Sequence, residues 1–146
     1  MSAHPRSDSA FSTPAPTAKP SKAALWTGWI LGSLVAISMI SGSVPAFLGL
    51  PQMAEGMAKF GYSPSILRPI GLLELVCPIL YLIPRTAVFG AILLTAYMGG
   101  AVATHARIGD PMWVVPVVVG IVAWVALLLR QPRLRALVLA PSDPQV

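Results

Sequence analysis

The sequence predicts an all-α integral membrane protein, a four-helix bundle of up-down topology. Three observations carry that prediction. Of the 146 residues 55% are hydrophobic and only 10% charged, with a mean hydropathy of +0.75, against about 25% charged in an ordinary soluble domain. From Ala23 to Ala54 there is no formal charge, a longer run than the roughly 20 apolar residues that a helix needs to cross a bilayer. Three more apolar stretches follow, separated by short breaks rich in Pro, Gly and Arg.

The net charge of +5 and a pI near 10.0 do not make this a nucleic-acid binder, because the basic residues are scattered at segment ends with no aromatic platform between them. Cys77 is the single cysteine, so the chain alone cannot build a disulfide, a zinc site or a cysteine-ligated cluster, and the residue reads as a small buried hydrophobe. The histidines are His4 and His105. With His4 in the N-terminal tail, one chain cannot hold a haem between two of them. No metal site and no cofactor bound by this chain alone is expected.

Residues 1–22 hold Pro5, Pro14, Pro16 and Pro20 among Ser, Thr and Ala and read as a disordered tail rather than a secretory leader. Residues 23–137 form the membrane domain, and 138–146 a short tail. The first span is expected within Leu25 to Leu48, with Trp26 and Trp29 at headgroup level. Gly28 and Gly32, and Ser38 and Gly42, are small-residue pairs that admit a close neighbour. Pro45 should kink or end its last turn. Gly49 to Pro64 reads as a loop with an interfacial helical turn stopped at Gly61. The second span is expected over Ser65 to Ile83, and the third, after the very short Pro84-Arg85 break, over Thr86 to Ala106, so these two must be neighbours. On the third, Ala91, Thr95, Gly99 and Ala103 form one stripe, and Tyr97, Ala101 and His105 an adjacent one. Gly109-Asp110-Pro111 breaks the chain before a fourth span over Met112 to Leu129.

Between Arg68 and Arg85 the one formal charge is Glu74. A carboxylate at the middle of a bilayer costs about 2.5–3.5 kcal/mol on insertion scales, so it normally faces a partner, a cavity or a proton path. At 1.5 Å rise per residue, Glu74 lies about 15 Å above the Pro84-Arg85 turn, level with Thr95, Tyr97, Ser38 and Ser41, whereas His105 lies about 30 Å above it. Glu74 with Thr95, Tyr97, Ser38 and Ser41 is therefore the candidate ligand or proton site; the bland alternative is a neutral Glu clasping two helices. A direct bond from Glu74 to His105 is excluded by the difference in depth. His105, Arg107 and Asp110 form a second candidate group at the outer rim, suited to a head group or a quinone carbonyl, or else simply marking a helix end.

Seven Lys and Arg residues (Arg6, Lys19, Lys22, Arg85, Arg130, Arg133 and Arg135) fall on the termini and the second loop. Three (Lys59, Arg68 and Arg107) fall on the other two loops. That imbalance predicts both termini in the cytoplasm.

Several motifs occur together: Glu55-Gly56, Gly61-Tyr62, Gly71-x-x-Glu74-Leu75, Tyr81-Leu82-Ile83-Pro84-Arg85-Thr86, Gly90-Ala91-x-Leu93-Leu94-Thr95, Gly99-Gly100-Ala101-x-Ala103-Thr104-His105 and Gly109-Asp110-Pro111. From about Trp26 to Leu137 the chain resembles the DoxX-like family of small four-helix bacterial membrane proteins. The resemblance implies a multi-pass bundle in the bacterial inner membrane. It also points to a membrane subunit or anchor of a redox or sulfur/quinone-linked complex, since the family takes its name from a subunit of a thiosulfate to quinone oxidoreductase. The implied partners are the lipid bilayer, a soluble oxidoreductase subunit or further copies of the chain, and the implied cofactor is a quinone met through that complex. Many members carry a Lys shortly after the Ser-Gly of the first helix; here Ser41-Gly42 is followed by Ser43-Val44-Pro45. A small proton-coupled transporter working as an oligomer, and a purely structural membrane protein, are the alternatives from other classes. The residues leave open whether the chain catalyses a reaction.

Overall fold

A computed structural model of the chain describes residues 21–139. The expected N-terminal tail, but for its last two residues, and most of the C-terminal tail lie outside the described residues. Helices α1 (Lys22–Leu48), α3 (Leu67–Leu82), α4 (Ala87–Arg107) and α5 (Val114–Arg130) are the four spans. Two short helices complete the chain, α2 (Pro51–Lys59) between the first two spans and α6 (Pro132–Leu139) after the last. One-turn 3₁₀ segments at Pro64–Ile66 and Pro111–Trp113 lead into α3 and α5.

The spans form a square. Helix α1 packs on α3 and α5, and α4 on the same two, while the diagonal pairs α1/α4 and α3/α5 are not neighbours. Outward faces carry large apolar side chains, among them Ile30, Leu34, Ile37, Phe89, Ile92, Val118 and Ile121, all exposed. With apolar residues inside and outside alike, the bundle belongs in lipid.

Ends of elements follow local chemistry. The Ser21 side chain accepts from the Ala24 amide at 3.1 Å and caps α1, as hydroxyl N-caps do. Pro45 lies in the last turn of α1. The helix runs on to Leu48 and stops at Gly49, whose φ of 66° suits a residue without Cβ. The interfacial turn expected in the first loop is the nine-residue α2, and Gly61 (φ 77°) follows it as expected. Helix α6 was not expected, because Arg130, Arg133 and Arg135 read as the end of the fourth span. Proline in fact suits a first helical turn, where its missing N–H costs nothing.

Close approaches fall at glycines. A Cβ on Gly90 would lie 2.3 Å from the Tyr81 amide nitrogen, one on Gly71 2.6 Å from that of Phe47, and one on Gly28 2.8 Å from the Ala126 carbonyl oxygen. Glycine thus sets the α3–α4, α1–α3 and α1–α5 contacts in turn. The core sits in the half of the bundle nearest the Pro84-Arg85 turn, where Val35, Met39, Tyr81, Ala91, Leu94, Ala123 and Leu127 pack together. Tyr81 is 0% exposed, and its hydroxyl donates to the Ala123 carbonyl.

Candidate functional site

Glu74 projects from α3 into the angle between α1 and α4. Its Oε1 lies 3.1 Å from where a Cβ on Gly42 would stand, so the small residue on α1 makes room for the carboxyl. From the other side Tyr97 of α4 lies beside the carboxyl. The cluster therefore consists of one acid, one phenol and a gap where a side chain would have been. Pro78, one turn beyond Glu74, is accommodated inside α3.

Of the residues that depth placed beside Glu74, Tyr97 is there and the hydroxyl groups are turned elsewhere. Ser38 donates to the Val35 carbonyl and Ser41 to that of Ser38, each at 2.8 Å within its own helix; both residues are exposed on the outer face of α1. Thr95 donates to the Ala91 carbonyl at 2.8 Å and accepts from the Trp124 indole at 2.9 Å. That bond faces α5, away from Glu74, and Thr95 borders an apolar groove with Gly99, Gly120 and Trp124.

Tyr97 also borders a cavity of about 310 Å³ between α2, α3 and α4. Met57, Phe60 and Tyr62 roof it; Ile70 and Leu73 of α3 and Ala101, Thr104 and His105 of α4 line its walls. Its size lies at the small end of the range for ligand pockets, about 300–1,000 Å³, and its lining of apolar walls with a few polar groups is typical of them. The stripe Tyr97, Ala101 and His105 all faces this space, one residue per turn of α4. Glu74 stands behind Tyr97.

The rim residues divide. His105 Nδ1 lies 2.8 Å from Asp110 Oδ2, while Asp110 Oδ1 accepts from the Met112 amide at 3.0 Å and caps the turn that opens the last span. The backbone N–H of Met112, and after it His105, holds the Asp110 carboxyl below its ordinary range. With Nδ1 directed to Asp110, a neutral His105 keeps Nε2 as its acceptor. Phe60 meets the imidazole edge-on, ring centroids 4.8 Å apart. Arg107 instead donates to the Phe60 carbonyl. Since Thr104 Oγ1 gives its proton to the Gly100 carbonyl, the Tyr62 hydroxyl donates to Thr104 across 2.9 Å. These two bonds hold the segment after α2 on the top of α4, closing the cavity from above.

Sequence reasoning did not anticipate the roof of Met57, Phe60 and Tyr62. The signal was available in the amphipathic α2 followed by Phe60-Gly61-Tyr62, with Arg107 at the end of the third span. Among the described residues no three His, Cys, Asp or Glu side chains gather as metal ligands would.

The family model of the DoxX-like family matches residues 30–126, about two thirds of the chain and the whole of the square except the first turns of α1 and the last of α5. No curated protein and no solved structure gives a significant match.

Proposed function

We propose that this chain, which belongs to the DoxX-like family, is the membrane-embedded ligand-holding subunit of a redox or sulfur/quinone-linked complex, and that the cavity under Phe60 and Tyr62 receives the head of a quinone-like molecule. The observation that carries this reading is that one side chain, Tyr97, both meets Glu74 and borders the cavity. Its phenol can donate to a carbonyl oxygen, and Glu74 behind it can hold a proton out of contact with the bulk. His105, fixed by Asp110, offers a second polar contact in its lining. Ile70, Leu73, Phe60 and Met57 suit the flat apolar faces of such a ring. A quinone supplies two-electron redox chemistry when bound; the residues of this chain bind it, orient it and carry protons. Electrons come from a partner, because the chain offers no carrier of its own.

The seven-to-three distribution of basic residues supports a cytoplasmic position for both termini in the bacterial inner membrane, with the cavity in the outward half of the bundle. Fusion of a periplasm-active or a cytoplasm-active reporter to the C-terminus distinguishes the two orientations.

Equilibrium dialysis of the detergent-purified protein against a short-chain ubiquinone tests the ligand. Wild type should bind it saturably. Ala101→Trp, which fills the cavity from α4, should abolish binding, and Tyr97→Phe should weaken it about tenfold by removal of one hydrogen bond (about 1.4 kcal/mol). Equal uptake by wild type and Ala101→Trp would overturn the assignment.

The alternative is proton-coupled transport, and the position of Glu74 of α3 between Gly42 of α1 and Tyr97 of α4 favours it. Proteoliposomes carrying Glu74→Gln would then lose proton-linked substrate flux while keeping their fold; undiminished flux removes the carboxyl from any such cycle.

A further inference from the structure

The opposite end of the bundle holds a charge that the cavity does not use. Arg130 closes α5 and is 8% exposed. Its Nη2 donates to the Tyr81 carbonyl at 2.7 Å, and its guanidinium carbon lies 4.2 Å from the centroid of the Tyr81 ring and 4.9 Å from that of Trp29. Nε and Nη1, both buried, have no acceptor among the described residues. Gly32 leaves the space beside them, since a Cβ there would stand 3.4 Å from Nη1. Among the described residues the carboxylates are Glu55, Glu74 and Asp110. Glu55 and Asp110 belong to the other end, and Glu74 lies two turns up α3 from Tyr81. The C-terminal ends of α3 and α5 and the faces of two aromatic rings stabilise the cation, but none of the described carboxylates meets it. A guanidinium with open donors is suited to an oxyanion.

A second observation identifies the source of that oxyanion. Lys22, Arg85, Arg133 and Arg135 stand at the same end as Arg130. On α6 the two arginines alternate with Leu134, which packs against the core, and with Leu137 and Val138, 81% and 57% exposed. Trp26, at the start of α1, is 70% exposed. Cations interleaved with outward apolar side chains suit the headgroup layer of a membrane, where both find partners. An acidic soluble protein would satisfy the charges and leave the leucine, valine and indole in water.

We propose that this end of the bundle binds the phosphate of an anionic phospholipid, with Arg130 as its buried anchor and Arg133 and Arg135 as its rim. Trp29, 38% exposed, covers the guanidinium, and a turn of its indole is the movement that admits the phosphate. The site is separate from the cavity at the other end and does not depend on what that cavity holds.

Thermal unfolding of the protein purified in a neutral maltoside detergent, with added phosphatidylglycerol, phosphatidylcholine or inorganic phosphate, tests the proposal. Phosphatidylglycerol should raise the midpoint by several degrees and leave one lipid bound per chain in native mass spectrometry; phosphatidylcholine should do neither. R133Q/R135Q should fold and show a reduced shift, and R130K, which keeps the charge and loses the planar fork, should lose most of it. If R130K does not fold, hydrogen–deuterium exchange of the wild type decides: protection by phosphatidylglycerol confined to residues 26–33 and 127–135 supports the site, and protection elsewhere overturns it. Equal shifts with the two lipids also overturn the proposal. An equal shift with millimolar phosphate alone would reassign the site to a soluble anion.

Discussion

The hydroxyl of Tyr81 donates to the carbonyl oxygen of Ala123 at 2.8 Å, so a side chain of α3 crosses the centre of the square to reach α5, although the two helices are diagonal and their backbones do not approach each other. The same residue presents its carbonyl and its ring to Arg130. Tyr81 is thus the central tie of the half of the bundle that carries the core.

Two substitutions separate its ring from its hydroxyl. Tyr81→Phe should lower stability by about 0.5–1.5 kcal/mol, the net worth of one hydrogen bond. Tyr81→Ala should cost about 3–5 kcal/mol through the cavity it leaves. Thermal unfolding in detergent measures both.

Gly90→Ala sets a methyl against the backbone of Tyr81, which cannot yield as a flexible side chain would. Overpacking of this kind costs about 1–3 kcal/mol or more, and the variant should express poorly or unfold at markedly lower temperature. Gly99→Ala and Gly120→Ala meet nothing within 4 Å and should leave the unfolding midpoint where it is or raise it.

Gly42→Ala meets only the end of the Glu74 side chain. The carboxyl can shift by a few tenths of an ångström, so the fold should lose less than about 1 kcal/mol. Ligand affinity at the cavity should fall, because the contact of Glu74 with Tyr97 is disturbed. Thr95→Val provides the contrast: it breaks the bond to Trp124 and should leave ligand affinity unchanged. Dialysis and thermal unfolding on the two variants side by side check the pair.

Asp110 gives a pH dependence of definite sign. Its carboxyl is held below its ordinary value of 3.8 by the Met112 amide and by His105. A carboxylate depressed in the folded state contributes stability that is complete above the unfolded value and is lost as pH falls through the folded one. Wild type should therefore lose stability progressively below about pH 4, more steeply than Asp110→Asn, in melting curves recorded from pH 6 to pH 2.

The four spans were legible because charge-free stretches of sufficient length have few solutions in lipid, and because Pro84-Arg85 leaves so little chain that α3 and α4 must be adjacent. The depth of Glu74 was legible too, since rise per residue is nearly constant. Direction around each helix axis was not. Ser38, Ser41 and Thr95 share the level of Glu74 and face away from it, and a serine or threonine with a free carbonyl three or four residues back in its own helix gains little by reaching further. Arg130 read as the mark of a helix end; its burial arises from Gly28 and Gly32 drawing α1 against α5, a contact that spacing suggests but does not assign to a partner. The roof over the cavity depends on Arg107 and Tyr62 meeting groups more than forty residues away in the chain, and no local pattern encodes such a pairing.

Met39, Tyr81, Leu94 and Leu127 fill the middle of the square on the side of the Pro84-Arg85 turn, below the level of Glu74 and Tyr97. This apolar layer insulates Glu74 from Arg130, so the acid and the base of the interior do not neutralise each other.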